Sequence, residues 1–179
     1  RISSRMLDIG GAYGIHARFF RRNISDLHVD VIDSVPTNEE ELIFTGFYDD
    51  FNPTEPYDYV WASHVLEHVP SPTNFFAKLY RDLKIGGWAA ITVPPLRHEM
   101  TFAHLSLWNA GLLLVHFINA GFDCSKAHVA TYNYNVSVLV QKIPRGRKPK
   151  ADSLPPGLTR KGPYFMGDIE RLAWQTGLP

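Results

Sequence analysis

The sequence predicts an α/β fold, in which a mostly parallel sheet of seven strands carries helices on both faces and ends in an antiparallel hairpin. Two observations predict it. Short apolar runs with strand character alternate with helix-like stretches over residues 5–120, and repeated β-α units give parallel strands with right-handed crossovers. Two strand-like stretches then follow each other directly, which is typical of an antiparallel pair.

The first part of the chain predicts three strands and one helix. An apolar strand over residues 5–9 leads into a glycine-rich turn, and a helix-like stretch follows over residues 15–22. The second strand covers residues 28–32, where valine and isoleucine favour a strand. The third strand covers residues 42–47, and a short helical turn is expected around Glu39 before it.

The helix over residues 72–83 has the clearest boundary signals. Ser71 can cap it, Pro72 suits its first position, and a Gly-Gly pair follows its end. The apolar side chains that recur along it at helical spacing are Phe75, Phe76, Leu79, Tyr80 and Leu83.

The remaining elements complete the alternation of strands and helices. A strand is predicted on each side of the 72–83 helix, and a long apolar helix and the hairpin follow. In chain order these elements are strands over residues 57–62 and 88–93, a helix over 105–120, and a final antiparallel pair over 122–134 and 135–143.

The turn after the first strand is the most informative segment of the chain. It places Asp8 before a glycine-rich run at residues 10–14, where glycine lets the backbone come close to a ligand. The dinucleotide fingerprint G-x-G-x-x-G fails here, because its later glycine positions hold Ala12 and Ile15. A carboxylate also repels a pyrophosphate, which prefers bare N–H groups. An acid at this place suits a cationic, amino-acid-like ligand such as S-adenosylmethionine.

Three segments resemble the motifs of class I S-adenosylmethionine-dependent methyltransferases. Residues 8–14 resemble the first motif of that superfamily, commonly D-x-G-x-G-x-G. Residues 57–69 resemble the fourth-strand segment of the branch that reads VLEHV, and residues 83–94 resemble the fifth-strand entry LKPGG. The resemblance covers residues 5–143 and implies a three-layer Rossmann-like fold, S-adenosylmethionine as the cofactor and S-adenosylhomocysteine as its product. Ala12 replaces the usual middle glycine, and we expect a slightly tighter turn with binding retained.

The resemblance predicts a cofactor site beyond the carboxyl ends of the strands, where open α/β sheets bind ligands. Asp8 and the glycine-rich turn would hold the amino-acid end, and Asp33, rather than Asp30 inside the strand, would bind the ribose hydroxyls. An aromatic ring after the third strand would stack on the adenine, with Asp49 or Asp50 beside it. The full set of predicted cofactor residues is Asp8, Gly10, Gly11, Ala12, Gly14, Asp33, Phe47, Tyr48, Asp49, Asp50, Ser63 and His64.

One motif admits a different interpretation. Residues 64–68 satisfy H-x-x-E-H, the inverted zinc-protease pattern, in which two histidines on one helix face bind zinc. The pattern is short, it follows an apolar strand, and Pro70 and Pro72 soon end any helix. The methyltransferase motifs on both sides account for the same residues, so we expect no metal. Glu67 and His68 are expected to orient the loop.

The loop after the fifth strand, residues 94–104, is where this fold places acceptor contacts. Methyl transfer is an in-line displacement that gains much of its rate from positioning, and a hydroxyl acceptor also gains from a general base. His104 is the first candidate base, because the family often has a histidine just before the next helix, and His98 and His64 are further candidates. Arg97 could pair with a carboxylate or phosphate on the acceptor. The predicted apolar walls of the acceptor pocket are Phe102, Leu105 and Trp108.

These residues predict a methyltransferase that acts on the oxygen or nitrogen of a small polar molecule, with a sugar, a glycan or another metabolite favoured. The alternative is a catalytically silent domain that binds S-adenosylmethionine and serves in regulation or assembly. The net formal charge is zero, so nucleic acid is not favoured as a partner. The oligomeric state is left open.

Composition also bears on compartment and domain organisation. The single cysteine, Cys124, allows no intrachain disulfide, which favours a reducing, cytoplasmic location. No apolar stretch is long enough to span a bilayer, and no signal peptide is visible. We predict a methyltransferase domain over residues 1–143, a linker or loop rich in proline and basic residues over 144–163, and a short C-terminal helix docked on the domain over 164–179.

Overall fold

The computed structural model describes residues 3–35, 41–97 and 101–144. The strands of this part are, in chain order, β1 (Ser4–Ile9), β2 (Leu27–Asp33), β3 (Leu42–Thr45), β4 (Tyr57–Ser63), β5 (Leu83–Val93), β6 (His128–Tyr132) and β7 (Asn135–Gln141). Its helices are α1 (Ile15–Asn23), α2 (Pro72–Asp82) and α3 (Ala110–Ala120), with single 3₁₀ turns at Tyr48–Asp50 and Leu66–His68.

The seven strands form one sheet in the order β3-β2-β1-β4-β5-β7-β6. β1 pairs in parallel with β2 and β4, and parallel pairing continues to β3 on one side and to β5 on the other. β7 is antiparallel to both β5 and β6. The predicted sheet, mostly parallel with an antiparallel C-terminal hairpin, is therefore confirmed.

Helices cover both faces of the sheet because side chains alternate along each strand. On β1, Leu7 and Ile9 join the main hydrophobic core, which also contains buried side chains of α2 and α3. Met6, which precedes Leu7 and lies on the opposite face of the sheet, joins a smaller cluster with Ala17 of α1. The three-layer arrangement is therefore also as predicted. No helix in the described ranges has the length and apolarity needed to cross a membrane.

The start of α3 differs from the prediction. The apolar pattern predicted a helix from residue 105, but α3 begins at Ala110, and the side chain of Asn109 accepts the N–H of Leu112 at 2.8 Å. The N–H groups of Leu105 and Ser106 instead donate to the carbonyl of Glu67, at 2.7 and 3.3 Å. These amides are satisfied outside a helix, so the segment before Asn109 is not helical and is held against the turn Leu66–His68 that follows β4.

β5 begins earlier than predicted, at Leu83 instead of residue 88. The Gly-Gly pair lies inside the strand, and the pairing register of β4 and β5 shifts between Tyr57 and Tyr59. Gly86 has a φ of 84°, and a Cβ on Gly87 would approach the Asp58 carbonyl oxygen to 2.8 Å. The glycines therefore form a bulge in the strand and do not mark its beginning.

Other predicted boundaries were too long. β3 ends at Thr45, β6 begins only at His128 within the predicted 122–134, and β7 begins at residue 135 as predicted but ends at Gln141 instead of residue 143. Phe122 is still attached to α3, because its N–H donates to the carbonyl of Phe117 at 3.0 Å. The helical turn expected around Glu39, almost all of the predicted linker and the C-terminal helix lie outside the described residues.

Candidate functional site

A cavity of about 300 Å³ opens at the carboxyl ends of the parallel strands. The strand order reverses between β1 and β4, and open α/β sheets bind ligands at such a topological switch point. The volume lies at the lower end of the range for small-molecule sites. The predicted cofactor residues that line this cavity are Gly10, Asp33, Phe47, Tyr48, Asp49 and Asp50.

The glycine-rich turn needs glycine at two positions. Gly10 and Gly14 have φ values of 70° and 71°, in the left-handed region that residues with a Cβ rarely adopt. A Cβ on Gly10 would clash with the side chain of Val65, and a Cβ on Gly14 would approach the Glu41 carboxyl to 2.9 Å. The turn therefore packs its backbone directly against the segment after β4, at the edge of the cavity.

Ala12 takes the same left-handed conformation, with a φ of 44°. This conformation costs an L-residue roughly 1–2 kcal/mol, whereas glycine adopts it freely. The N–H of Ala12 donates to Oδ2 of Asp33 at 2.9 Å, which holds the turn against the end of β2. The chain thus retains the shape of the turn with alanine at its middle position, at a cost in backbone strain.

Asp8 lies beneath the turn and does not line the cavity. It is only 1% exposed, and a Cβ on Gly11 would come within 2.9 Å of its Oδ2. That oxygen has no hydrogen-bond partner among the described residues. Burial raises the pKa of Asp8 to about 7, although a backbone hydrogen bond from Ala17 opposes the shift. Asp8 therefore presents one unsatisfied carboxylate oxygen below the turn.

Asp33 lines the cavity at the end of β2, whereas Asp30 does not. Asp33 accepts the N–H groups of Ala12 and Val35, each at 2.9 Å and each on a different oxygen. Each oxygen keeps a second lone pair for a ligand hydroxyl. Asp30 is instead buried and accepts hydrogen bonds from side chains of β1 and β4, so its role is structural.

The two aromatic residues after β3 have different environments. Phe47 is 62% exposed at the cavity, where its ring face is free for stacking. Tyr48 is buried, and its hydroxyl donates to Asp82 of α2 at 3.1 Å. Asp49 and Asp50 are exposed at the same rim. Phe47 is therefore better placed to stack on a ligand, while Tyr48 fastens this segment to α2.

The segment after β4 does not form the helix that the zinc-protease pattern needs. His64 lies before the single turn Leu66–His68 and has a φ of 56°. Its Nδ1 lies 3.3 Å from Oε1 of Glu67, and its Nε2 lies 2.8 Å from Oδ1 of Asn135. Ser63, which ends β4, is half-buried and does not line the cavity. His64 and His68 therefore do not share a helix face.

Folding instead brings together Glu67, His68 and His104. Their potential ligand atoms all lie within 4.8 Å of one another. The hydrogen bond from the Leu105 N–H to the Glu67 carbonyl holds the loop before α3 in this position. The rings of His68 and His104 meet edge to face with centroids 5.0 Å apart. Because His68 also lines the cavity, this cluster borders it.

The turn between β6 and β7 lies at the same edge, and the sequence pattern did not mark its residues. Because β7 is antiparallel to β5, it begins where the parallel strands end. The ring of Tyr134 stacks on His64 at a centroid distance of 6.3 Å, and the guanidinium carbon of Arg97 lies 4.4 Å from the centroid of the Tyr134 ring. The predicted hairpin direction was the one available signal that Tyr134 and Asn135 approach the site.

The predicted acceptor residues lie in different environments. Trp108 is 1% exposed, its indole N–H donates to Ser106 at 2.8 Å, and it is not among the residues that line the cavity. Phe102 and Leu105 are 96% and 61% exposed before α3. His98 lies outside the described residues.

A family model for a methyltransferase domain matches residues 2–125. The match includes the glycine-rich turn, all five parallel strands and the three helices. No curated protein matches the chain.

Many solved structures share the fold. Human N-acetylserotonin methyltransferase in complex with S-adenosylmethionine is 16% identical with a TM-score of 0.62, over 79% of this chain and 48% of that one. Phosphoethanolamine N-methyltransferase 2 of Haemonchus contortus is 22% identical with a TM-score of 0.58, over 73% and 35%. A chain of the complex between the Haloferax volcanii Trm112 methyltransferase activator and a methyltransferase is 16% identical with a TM-score of 0.62, over 79% and 83%. The present chain thus spans half or less of the human and Haemonchus enzymes.

Proposed function

This chain belongs to the methyltransferase domain family, and we propose that it is an active enzyme that transfers a methyl group from S-adenosylmethionine to a small polar acceptor. The observation that carries the proposal is the composition of the cavity edge. The glycine-rich turn, Asp33 and Phe47 border one part of it, and His68 connects it to His104. A cofactor and an acceptor would therefore meet at the carboxyl ends of the strands.

The family membership confirms the predicted superfamily and its cofactor, S-adenosylmethionine. The described residues fit this group. Asp33 has free lone pairs for ribose hydroxyls and Phe47 has a free ring face. Asp8 lies beneath the glycine-rich turn and outside the cavity lining, where it would support the turn that holds the amino-acid end. When bound, the cofactor supplies a methyl group that its sulfonium has already activated for displacement.

The chain's own residues would position the acceptor and manage its proton. In-line displacement gains much of its rate from holding the nucleophile opposite the leaving sulfur. His104 stands beside the cavity, where it can take a proton from an acceptor hydroxyl. Arg97 lies over Tyr134 on the same side, and its guanidinium can bind an anionic group of the acceptor. A sugar, a glycan or another polar metabolite suits this lining.

Calorimetric titration tests the cofactor half of the proposal. We expect micromolar binding of S-adenosylmethionine and S-adenosylhomocysteine and no binding of NAD. Asp33→Ala should weaken binding by about 1–3 kcal/mol, the cost of losing a charged hydrogen-bond acceptor. Glu55→Ala is the matched control, because Glu55 is an exposed acid before the amino end of β4. An unchanged dissociation constant for Asp33→Ala would exclude Asp33 from the ribose site.

The alternative function, a silent cofactor-binding module, retains the same cofactor residues. Formation of S-adenosylhomocysteine in the presence of a panel of sugars, polyols and amines separates the two functions. For an acceptor that turns over, His104→Ala should lower turnover strongly and leave cofactor affinity within a few-fold. Cofactor binding without turnover on any acceptor would favour the silent module, and full turnover of His104→Ala would remove His104 from the reaction.

A further inference from the structure

We propose that Glu67, His68 and His104 form a binding site for a divalent transition-metal ion at the border of the cavity. Two imidazoles and one carboxylate are a recurrent ligand set for zinc and for other first-row metals. The three ligand atoms lie within 4.8 Å of one another. Ligand atoms around a tetrahedral zinc ion are about 3.4 Å apart, and His68 and His104, which are not buried, can reach this spacing by small side-chain rotations.

Glu67 lacks the partners that a buried carboxylate needs. It is 1% exposed, and its Oε2 has no hydrogen-bond partner among the described residues. Within the same residues its ion-pair partner is His64, with no lysine or arginine beside it. A buried charge is costly unless it is paired or coordinates a metal. A cation bound to Glu67 would satisfy this carboxylate.

The ring of His68 is held with one nitrogen free to bind a metal ion. Nδ1 of His68 lies 2.9 Å from the carbonyl oxygen of Ala103; a carbonyl only accepts, so Nδ1 donates and Nε2 keeps the lone pair. Metal-bound histidines usually donate their other N–H in this way. Nε2 of His64 donates to Oδ1 of Asn135, which fixes the His64 ring beside Glu67, with its Nδ1 3.3 Å from Oε1 of that carboxylate.

The backbone is strained on both sides of the cluster. His64 and Ala103 have φ values of 56° and 66°, in the region that costs an L-residue roughly 1–2 kcal/mol. The first strained residue presents Nδ1 to Glu67, and the second presents its carbonyl to His68. Such strain persists where the surrounding structure enforces it, and it clusters at binding sites. The zinc-protease pattern thus contributes two ligands, with His104 completing the set, which replaces the expectation of no metal.

The site has a chemical consequence, and this consequence rests on the proposed function. An acceptor hydroxyl that becomes a further ligand of the ion ionises more readily, and its proton leaves to water. The new oxygen–carbon bond forms as the carbon–sulfur bond breaks, and the sulfonium becomes a neutral thioether. With the ion bound, His104 serves as a metal ligand, and this role replaces the general-base role that the proposed function gives it without a metal. The site therefore favours an oxygen nucleophile over a nitrogen.

Metal titrations of the full chain, stripped with a chelator and kept free of cofactor, test the site. We expect calorimetry to show one equivalent of Zn²⁺, Co²⁺ to give the visible absorption of a bound ion, and excess Mg²⁺ not to compete. Glu67→Gln and His104→Ala should each weaken Zn²⁺ binding at least about 100-fold. His128→Ala is the matched control, because His128 is exposed on β6 outside the cluster.

Two results would overturn the metal site: no Zn²⁺ binding to the unaltered chain, or equal affinity in all variants. Far-UV circular dichroism checks that each variant folds, and His68→Ala, at an exposed position, replaces Glu67→Gln if that variant does not fold. Binding of S-adenosylmethionine without Zn²⁺ binding rejects the metal site and leaves the proposed function. Binding of Zn²⁺ without S-adenosylmethionine binding rejects the proposed function and leaves the metal site.

Discussion

Ala12 has a backbone conformation in which its Cβ atom lowers the stability of the folded chain by a measurable free energy. Its φ of 44° lies in the left-handed region, so Ala12→Gly should raise the free energy of unfolding by about 0.5–1 kcal/mol, after the greater freedom of glycine in the unfolded chain is subtracted. Urea unfolding measures the change. The control is Ala130→Gly in the exposed part of β6, where glycine should lower stability by about 0.5–1 kcal/mol. Losses at both positions would contradict the strain at Ala12.

Asp8 makes stability depend on pH with a definite sign. Its pKa is about 7 in the folded chain and about 3.9 in an unfolded one, so the folded state binds the extra proton. The contribution of Asp8 to the free energy of unfolding should therefore fall as pH rises from about 4 to 7. Asp8→Asn removes this penalty, and its stabilising effect should be larger at pH 8 than at pH 5 by about 1–3 kcal/mol.

Urea unfolding without ligand at pH 5 and pH 8 measures this difference for Asp8→Asn. Asp49→Asn is the control, because Asp49 is an exposed acid at the cavity rim, and its effect should be the same at both pH values. An equal effect of Asp8→Asn at the two pH values would show that burial does not raise the pKa of the Asp8 carboxyl.

Site residues differ in how far the sequence could predict them. Gly10 comes directly after β1 and Asp33 is the last residue of β2, so local sequence signals were enough to predict their place at the cavity. Asn135 binds His64 across 71 residues of chain, and no local pattern records such a contact. The cluster of Glu67, His68 and His104 could not be predicted from local patterns either. The position of His104 depends on backbone hydrogen bonds between its neighbours and the turn after β4.

At the scale of elements, periodicity predicted the helices and strands but misplaced boundaries where tertiary contacts compete. The apolar pattern of α3 extends back to Leu105, but the N–H of Leu105 donates to the carbonyl of Glu67. The helix therefore begins only after Asn109, whose side chain caps it. The Gly-Gly pair in β5 is typical of the residues that follow a helix. However, β5 pairs with β4 both before and after these glycines, so they lie inside the strand. In both cases a neighbouring strand end or strand decides the conformation.

Lys142 connects the end of β7 to the junction of α2 and β5. Its Nζ donates to the carbonyls of Tyr80 and Leu83, each at 2.6 Å, and the residue is buried. Lys142→Met should lower the free energy of unfolding by about 1–3 kcal/mol, because charged hydrogen bonds to buried carbonyls are lost. Urea unfolding measures the loss.

The matched control for Lys142→Met is Lys84→Met. Lys84 pairs with Asp58 at 2.9 Å with both side chains partly exposed, so the loss should stay within about 1 kcal/mol. If the two substitutions cost the same, Lys142 does not have the structural role that its contacts indicate.

At the scale of the whole molecule, Cys124 reports on the cooperativity of the core. It packs against the main core, to which β1, β2, β4, β5, β6 and β7 all contribute, and burial raises the pKa of its thiol to about 12. An ordinary thiol has a pKa of about 8.5, so native labelling by a disulfide reagent at pH 8 should be at least about 100-fold slower than in the unfolded chain. Because the chain has one cysteine, labelling rates across a urea series follow a single site. Fast labelling well below the unfolding midpoint would show that the core opens in parts.

The antiparallel direction of β7 affects how acceptor selectivity can change. The cavity residues precede residue 76, whereas the hairpin tip that contacts His64 comes from the far end of the described chain, at Asn133 and Tyr134. The paired strands β6 and β7 hold this tip in place, and Asn133 has a left-handed φ of 50°, which favours asparagine or glycine at its position. Under the proposed function, replacing Tyr134 changes the surroundings of His64 and Arg97 and leaves the residues that line the cavity unchanged, so it should alter acceptor preference more than cofactor affinity.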